Sequence, residues 1–345
     1  PCIYCYTCVS AIYVREQSRC AVNPECGQEY RRGTSAAASG SKRVVVVGGG
    51  PGGMEAARRL AAKGHDVILL EKNDRLGGTL RFASLAYAAN ERLLDWLCLQ
   101  VQSRDIDFRL GTEATTDLLL SLAPDDVVVA TGALRSLPPI PGVELSHVFS
   151  GDDMRELIMG SSSERLKEKT SMLTRMATRI GSATGVTVNL DLVRKATHTW
   201  MPLGKNIVII GGELVGIELA EFLCERGRHV TVVDYAPRFG AGLTLVRRLR
   251  ILAELREQDV GLYPGSKDIR IEPKQVCFTD SAGDWQAVIA DQVIVARGAT
   301  GDSTQAEMFR SAGLRVHEIG DATGVGYIEG AMRDAMNAVD AISAT

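Results

Sequence analysis

One pattern constrains the fold of this chain more than any other feature, and it occurs twice. Val44-Val45-Val46-Val47 follows the charged pair Lys42-Arg43 and runs into Gly48-Gly49-Gly50-Pro51-Gly52-Gly53. Residues 54–63 have helical spacing, with Ala57, Leu60 and Ala61 on one side, and Val67-Ile68-Leu69-Leu70 is a second apolar run closed by Glu71. Later in the chain Asn206-Ile207-Val208-Ile209-Ile210 leads into the turn Gly211–Gly216, then a helical stretch at 217–226, then Val230-Thr231-Val232-Val233-Asp234. The interval from first glycine to strand-end acid is 23 residues in each copy, Gly48 to Glu71 and Gly211 to Asp234. Apolar runs without polar alternation are strands buried on both faces, as in parallel sheets covered by helices.

Each copy carries the physical parts of a dinucleotide site. Gly48 permits a tight turn from strand to helix, Gly50 lets backbone approach a pyrophosphate, and Gly53 lets helix pack on strand. Pro51 lies in the turn and joins the cofactor set, and the N-terminus of the helix that follows offers unpaired N–H groups and a positive dipole end to phosphate. Glu71 is placed to accept hydrogen bonds from a ribose 2′-OH. A glycine turn without ligand is the alternative, but strand, turn, helix, strand and acid coincide here. Two such copies predict two dinucleotide-binding modules. Val127-Val128-Val129 leads into Ala130-Thr131-Gly132 as a further strand of the first, and Val293-Ile294-Val295 into Ala296-Arg297-Gly298 repeats it in the second. Pro138-Pro139-Ile140-Pro141-Gly142 is a stiff crossing between them.

The second turn departs from the pattern. It reads Gly211-Gly212-Glu213-Leu214-Val215-Gly216, with Glu213 where the middle glycine belongs. A carboxylate about 4 Å from one phosphate charge at an effective dielectric near 20 costs roughly 4 kcal/mol. Micromolar binding is worth about 8 kcal/mol, so Glu213 must turn away if the module works. Asp234 keeps the ribose-binding acid, which favours NADH over NADPH.

Five of the eight cysteines fall in the first 26 residues: Cys2, Cys5, Cys8, Cys20 and Cys26. Three thiolates at C-x₂-C-x₂-C with a distant fourth suit a [4Fe–4S] cluster on Cys2, Cys5, Cys8 and Cys20. Four-thiolate zinc and free thiols are the competing readings, although structural zinc usually takes paired C-x₂-C units. Cys26 is a spare that can substitute for Cys20. Cys98, Cys224 and Cys277 lie in helix or strand patterns and read as inert core residues. Clustered cysteines in a chain of 345 residues suggest metal binding in a reducing compartment, hence the cytoplasm.

Near the far end, Val316-His317-Glu318-Ile319-Gly320-Asp321 reads as a short strand, and Tyr327-Ile328-Glu329-Gly330-Ala331-Met332 opens an apolar helix. Asp321 alone would be an N-cap. Two nested modules, Ala130-Thr131-Gly132 at the crossing and Gly320-Asp321 together resemble the two-dinucleotide-domain flavoprotein reductases. With the cysteine head, the chain is similar to the NADH:flavin oxidoreductases of the 2,4-dienoyl-CoA reductase and trimethylamine dehydrogenase type. The resemblance covers residues 1–345 with gaps around 152–200.

That resemblance implies an α/β fold of two nested Rossmann-like domains with a Cys-rich N-terminal iron–sulfur segment. It divides the chain into a cluster segment at 1–32, a linker at 33–41, an FAD domain at 42–137 plus 302–345, and an NAD(H) domain at 138–301. Asp321 would hold the flavin ribitol, and the helix bearing Ile328 and Ala331 would face the isoalloxazine. Gly77-Gly78-Thr79-Leu80-Arg81 matches the group's second flavin-contacting turn, so Gly78, Thr79 and Arg81 join the cofactor set. Lys72 beside Glu71, Ala114 on the adenine-contacting strand, the Ala130-Thr131-Gly132 turn and Gly298 join it too. Glu218 matches a glutamate near the nicotinamide and is the candidate catalytic residue; a solvated helix residue is the alternative.

The resemblance further implies a (β/α)₈ barrel carrying FMN and the substrate site. A barrel needs about 250 residues, for which residues 1–345 have no room, so it belongs to a partner subunit or a severed N-terminal part. The first residue, Pro1, is not Met and no basic-then-apolar leader follows, suggesting a processed chain or a piece of a longer one. The expected role is electron input from NADH through FAD and the cluster to that FMN, ending on an enoyl- or dienoyl-type substrate, in an oligomer. The alternative is a non-catalytic ADP- or FAD-binding scaffold with a vestigial NAD site. A reductase working through a redox disulfide lacks its C-x₂₋₄-C pair in the flavin modules.

Composition excludes other classes. Net charge is −3, too near neutral to argue for nucleic acid or an anionic membrane. No apolar run approaches the roughly 18 residues a membrane helix needs. His65, His147, His198, His229 and His317 show no ligand spacing, and no Ser-His-Asp or Cys-His pattern is evident. Residues 152–200 read as an exposed, partly helical insertion.

Overall fold

The structure, a computed structural model, describes residues 1–32, 40–159, 169, 189–201 and 203–344. Most of the expected linker at 33–41 and the middle of the 152–200 stretch lie outside these residues. The chain forms two compact units, one of Pro1–Ser84, Ala88–Leu134 and Ala299–Thr345, the other of Leu85–Tyr87 and Arg135–Gly298.

The apolar runs form the central strands of two parallel sheets of five strands, alike in order except that one edge strand follows the other four in the chain in the first sheet and precedes them in the second. In the first unit the order is Val316–Glu318, Asp126–Val129, Arg43–Val47, Asp66–Leu70, Asp107–Arg109. In the second it is Val148–Ser150, Gln292–Val295, Asn206–Ile210, His229–Asp234, Gly261–Pro264. The registers repeat: Arg43 pairs Asp66 and Val47 pairs Leu70, as Asn206 pairs His229 and Ile210 pairs Val233. Each glycine turn therefore leaves the carboxyl end of a central strand, the ligand-binding edge of open α/β sheets.

Burial explains why these strands lack polar alternation. One core joins Val45, Val47, Ile68, Leu70, Val127 and Val129 to Leu119 and Phe309. The other joins Val208, Ile210, Val233, Val293 and Val295 to Ile269, Ile271, Val276 and Phe278 of a three-stranded antiparallel sheet. That sheet, Lys267–Glu272, Gln275–Thr279 and Trp285–Ile289, covers one face of the second parallel sheet.

The helices begin earlier than residue spacing indicates. The first spans Pro51–Ala62 and the second Leu214–Cys224, against readings of 54–63 and 217–226. Pro51 is at home at the first helical position, where its missing N–H has no intrahelical partner to lose. The glycines that look like loop are thus the first turn of helix. The closing helix is Tyr327–Ala344. Among the described residues no helix is long and apolar enough to cross a membrane.

Candidate functional site

In the first unit each turn glycine answers a different demand. Gly48 has φ +106°, and a Cβ there would lie 2.5 Å from the Ala130 carbonyl oxygen. A Cβ on Gly53 would lie 1.9 Å from the Gly48 oxygen. Gly50 has ordinary extended backbone, φ −73° and ψ −178°, and a Cβ there would meet nothing within 4 Å. Neither conformation nor packing requires glycine at 50, and the space beside it is open. A pyrophosphate can approach the N-terminus of Pro51–Ala62 through that space, and the residues fit a bound dinucleotide.

Other expected residues assemble around this turn. The Gly77 N–H donates to the Gly49 oxygen at 2.8 Å, and Gly78, at φ +50°, would place a Cβ 3.2 Å from Gly50 Cα. Thr79 and Arg81 follow in the helix Thr79–Ala86. A Cβ on Gly52 would lie 3.5 Å from Ala331 Cβ, and one on Gly320, φ +66°, 3.4 Å from it. The start of the closing helix thus packs against the start of Pro51–Ala62. Gly132 has φ +80° and open space at its Cβ position beside Thr131, while Ala114 is buried with its oxygen accepting from Gln305. Lys72 is exposed and Ile328 half-buried.

Two acids have internal duties, of which the sequence displayed only the cap role of Asp321. Glu71 is buried; its Oε2 accepts from the Gly49 N–H at 2.7 Å, and its Oε1 from the Asn73 backbone N–H at 2.8 Å and from Asn73 Nδ2. Asp321 Oδ1 accepts from the Gly326 and Tyr327 N–H groups at 2.8 and 3.1 Å. Asp321 therefore caps the entrance to the closing helix.

The second unit repeats the turn with different side chains. Gly211 has φ +120°, and a Cβ on Gly216 would lie 1.9 Å from the Gly211 oxygen. Phe239 covers Gly212, its Cδ1 falling 1.9 Å from where a Cβ would be. Glu213 has φ −78° and ψ −175° and is exposed, and its side chain makes no cap hydrogen bond. Asp234 Oδ2 accepts from the Gly212 N–H at 2.6 Å, and Oδ1 from the Ala236 N–H at 3.0 Å and from Arg297 Nη1. Arg297 was legible only by aligning the repeats, where it replaces Thr131. Gly298, at φ +90°, has no room for a Cβ because the Ser136 oxygen would be 1.9 Å away. Its glycine serves the chain crossing.

Glu218 is buried in the helix after this turn, so it is not a solvated helix residue. Burial pushes its carboxyl up to about 7; Arg247 opposes the rise and Glu221 adds to it. Arg247 Nη2 itself pairs Glu221 Oε2 at 2.7 Å. A carboxyl poised near neutrality can hold or release a proton at physiological pH.

The cysteine head behaves differently from expectation. Tyr4 and Tyr6 take left-handed backbone, φ 53° and 59°, and turn the Cys2–Cys8 loop. Cys2 and Cys20 sulfurs accept N–H bonds from Tyr4 and Asn23, each at 3.4 Å, a setting that suits thiolates. Yet among the described residues no three cysteines, histidines or carboxylates are gathered as a metal site needs. Cys2 and Cys8 are exposed, and Cys5 and Cys20 half-buried. The donor types fit a cluster, but the described residues do not gather them as a closed cage. Cys26 is half-buried, and burial pushes its thiol up, with Cys20, Glu29 and Cys8 adding to the rise and a Ser18 hydrogen bond opposing it. Burial likewise raises the Cys98, Cys224 and Cys277 thiols, Cys224 to about 11, which keeps them protonated and unreactive.

Fold and turns together define a protein with two dinucleotide-binding modules. Residues 42–323 match the pyridine nucleotide-disulphide oxidoreductase family, and the chain belongs to it. It is 31% identical over 316 residues to bilirubin reductase of Mediterraneibacter gnavus, covering 91% of this chain and 42% of that protein. It is 29% identical over 332 residues to NADH oxidase of Thermoanaerobacter brockii, covering 95% and 45%. The structure of 2-naphthoyl-CoA reductase with 2-naphthoyl-CoA matches at 27% identity and a TM-score of 0.78, over 97% of this chain and 45% of that one. Histamine dehydrogenase from Rhizobium sp. 4-9, at 21% identity, a TM-score of 0.74 and 98% and 50% coverage, shares the fold. The chain thus spans less than half the length of the curated relatives it matches.

Proposed function

We propose that this chain is the electron-input part of a flavoprotein reductase, taking reducing equivalents from a nicotinamide dinucleotide, NADH by the sequence reading, onto FAD. The observation that carries this is Gly50, a glycine that nothing within the chain requires. Relatives described as bilirubin reductase, NADH oxidase and 2-naphthoyl-CoA reductase support the oxidoreductase class. In this reading Gly48–Gly53 and the helix N-terminus hold the FAD pyrophosphate, Gly78 closes over it, and Gly211–Gly216 holds the reductant. Glu218 holds or moves a proton at its carboxyl while the reductant is bound. A flavin in the first unit would supply the conversion between two-electron and one-electron transfer.

The relatives' greater length supports a further domain or subunit, and an FMN-bearing barrel acting on an enoyl- or dienoyl-type substrate is the occupant we propose. Cys2, Cys5, Cys8 and Cys20 would hold a [4Fe–4S] cluster if metal gathers them. The proposed setting is the cytoplasm, in an oligomer. A scaffold with an inactive nicotinamide site has its own support, namely Glu213 at the turn and Arg297 on Asp234. Anaerobic mixing separates the two: NADH or NADPH should reduce the flavin within seconds. Flavin that dithionite reduces but neither dinucleotide does would establish the scaffold.

A further inference from the structure

The second module's strand-end acid is engaged within the chain, one of its partners being a cation. Asp234 is 1% exposed, and both its oxygens are engaged, Oδ2 by Gly212 and Oδ1 by Ala236 and Arg297. The side chain of Arg297 is 30% exposed, so the surface next to the turn presents a guanidinium. The first module has Thr131 at this position, and Asn73 occupies the oxygen of Glu71 that corresponds to the Arg297-bonded one.

Arg297 is fixed there by its surroundings. It lies two residues past the strand Gln292–Val295, which neighbours Asn206–Ile210, and its stem passes Gly211, where a Cβ would lie 2.5 Å from Arg297 Cγ. Its guanidinium carbon lies 5.5 Å from the Tyr235 ring centre. The side chain thus crosses the end of the central strand to reach the acid of the next one. Nη1 bonds Asp234, and the other N–H groups have no hydrogen-bond acceptor among the described residues. A guanidinium beside the ribose acid is what accommodates a 2′-phosphate, and its planar fork matches phosphate oxygens.

The geometry points to Arg297 as a specificity-determining residue that admits a 2′-phosphorylated dinucleotide, NADPH, to a module whose sequence selects NADH. The ion pair cancels the charge with which Asp234 would repel a 2′-phosphate, and the unused N–H groups receive that phosphate without moving the side chain. This inference rests on the proposed nicotinamide site.

Titration of the flavin-loaded protein with NADPH and with NADH, under air-free conditions, tests it. The unaltered chain should bind NADPH at least as tightly as NADH. Arg297→Gln should lower the NADPH-to-NADH affinity ratio about tenfold or more, and Arg297→Lys, which keeps the charge, should retain part of it. Raising salt should weaken NADPH more than NADH in the unaltered chain and equally in Arg297→Gln. A tenfold preference for NADH in the unaltered chain, or a ratio unmoved by Arg297→Gln, overturns the inference while leaving the reductase reading intact. Failure of both dinucleotides to bind overturns both. Tight NADPH binding that leaves the flavin oxidised upholds Arg297 as the selector and removes the reductase reading.

Discussion

Gly50 and Glu213 occupy the same place in the two repeats with almost the same backbone, φ −73° and ψ −178° against φ −78° and ψ −175°. The conformation is one any residue adopts. What differs is the freedom to carry a side chain, which an approaching phosphate would remove at Gly50 and which Glu213 retains.

Gly50→Ala should therefore fold normally and bind FAD poorly. Its methyl group meets nothing in the protein, so the flavin-free melting temperature should shift by less than about 1 °C, on the order of a few tenths of a kcal/mol. FAD affinity should fall about tenfold or more. Gly53→Ala should do the reverse damage, because its methyl would collide with the Gly48 oxygen at 1.9 Å. Overpacking of this kind costs about 1–3 kcal/mol or more. Melting curves with and without added FAD distinguish the two.

Glu213→Gly should strengthen dinucleotide binding in the second module, by about three- to tenfold. An exposed carboxylate is screened by water, so the full Coulomb cost of roughly 4 kcal/mol is not felt. Titration at low and high salt should show the gain shrinking as salt rises. Unchanged affinity at low salt would mean that the dinucleotide does not approach this turn.

Glu218 makes stability depend on pH. Its folded pKa, about 7, lies above the unfolded 4.5, so the folded state holds the proton more tightly. Its contribution is fully present below the unfolded value, declines as pH rises through the folded one, and is level above that. The loss is on the order of 3 kcal/mol at most. Urea unfolding at pH 5 and pH 8.5 should show this decline, and Glu218→Gln should flatten it.

Metal content tests the head. Anaerobic reconstitution with iron and sulfide should give about four irons per chain and absorbance near 400 nm that dithionite bleaches. Cys5→Ser should lose both and keep bound FAD. Zinc without iron would support the four-thiolate alternative, and no metal at all the free-thiol one.

Much of this molecule was readable because its sheets are buried on both faces, which leaves apolar runs such as Val44–Val47 and Ile207–Ile210 unmistakable. The glycine turns were readable because positions such as Gly48, Gly53, Gly211 and Gly216 answer to sterics. Asn73 under Glu71 was not readable, since a short-range acceptor bond leaves no periodic trace. The cap role of Asp321 was weighed from its place at a strand end, and the structure supplies it. The reach of Arg297 to Asp234 depends on neighbouring strands far apart in sequence, and only the repeat alignment hints at it. Spacing could name the cysteine ligands but not their gathering, because metal itself closes such loops.

The first sheet is closed by a strand from the far side of the inserted second unit. Val316–Glu318 pairs with Asp126–Val129, and His317 meets buried Asp126 at 2.8 Å. During synthesis the whole of Arg135–Gly298 emerges before that closing strand exists. The first unit must then wait half-built while its guest folds, exposing the edge of Asp126–Val129 to pairing with the wrong strand. Long sequence separation of this kind slows folding, so refolding should show an early phase from the inserted unit and a slower one that ends as His317 docks. Flavin would be held only after the slower phase.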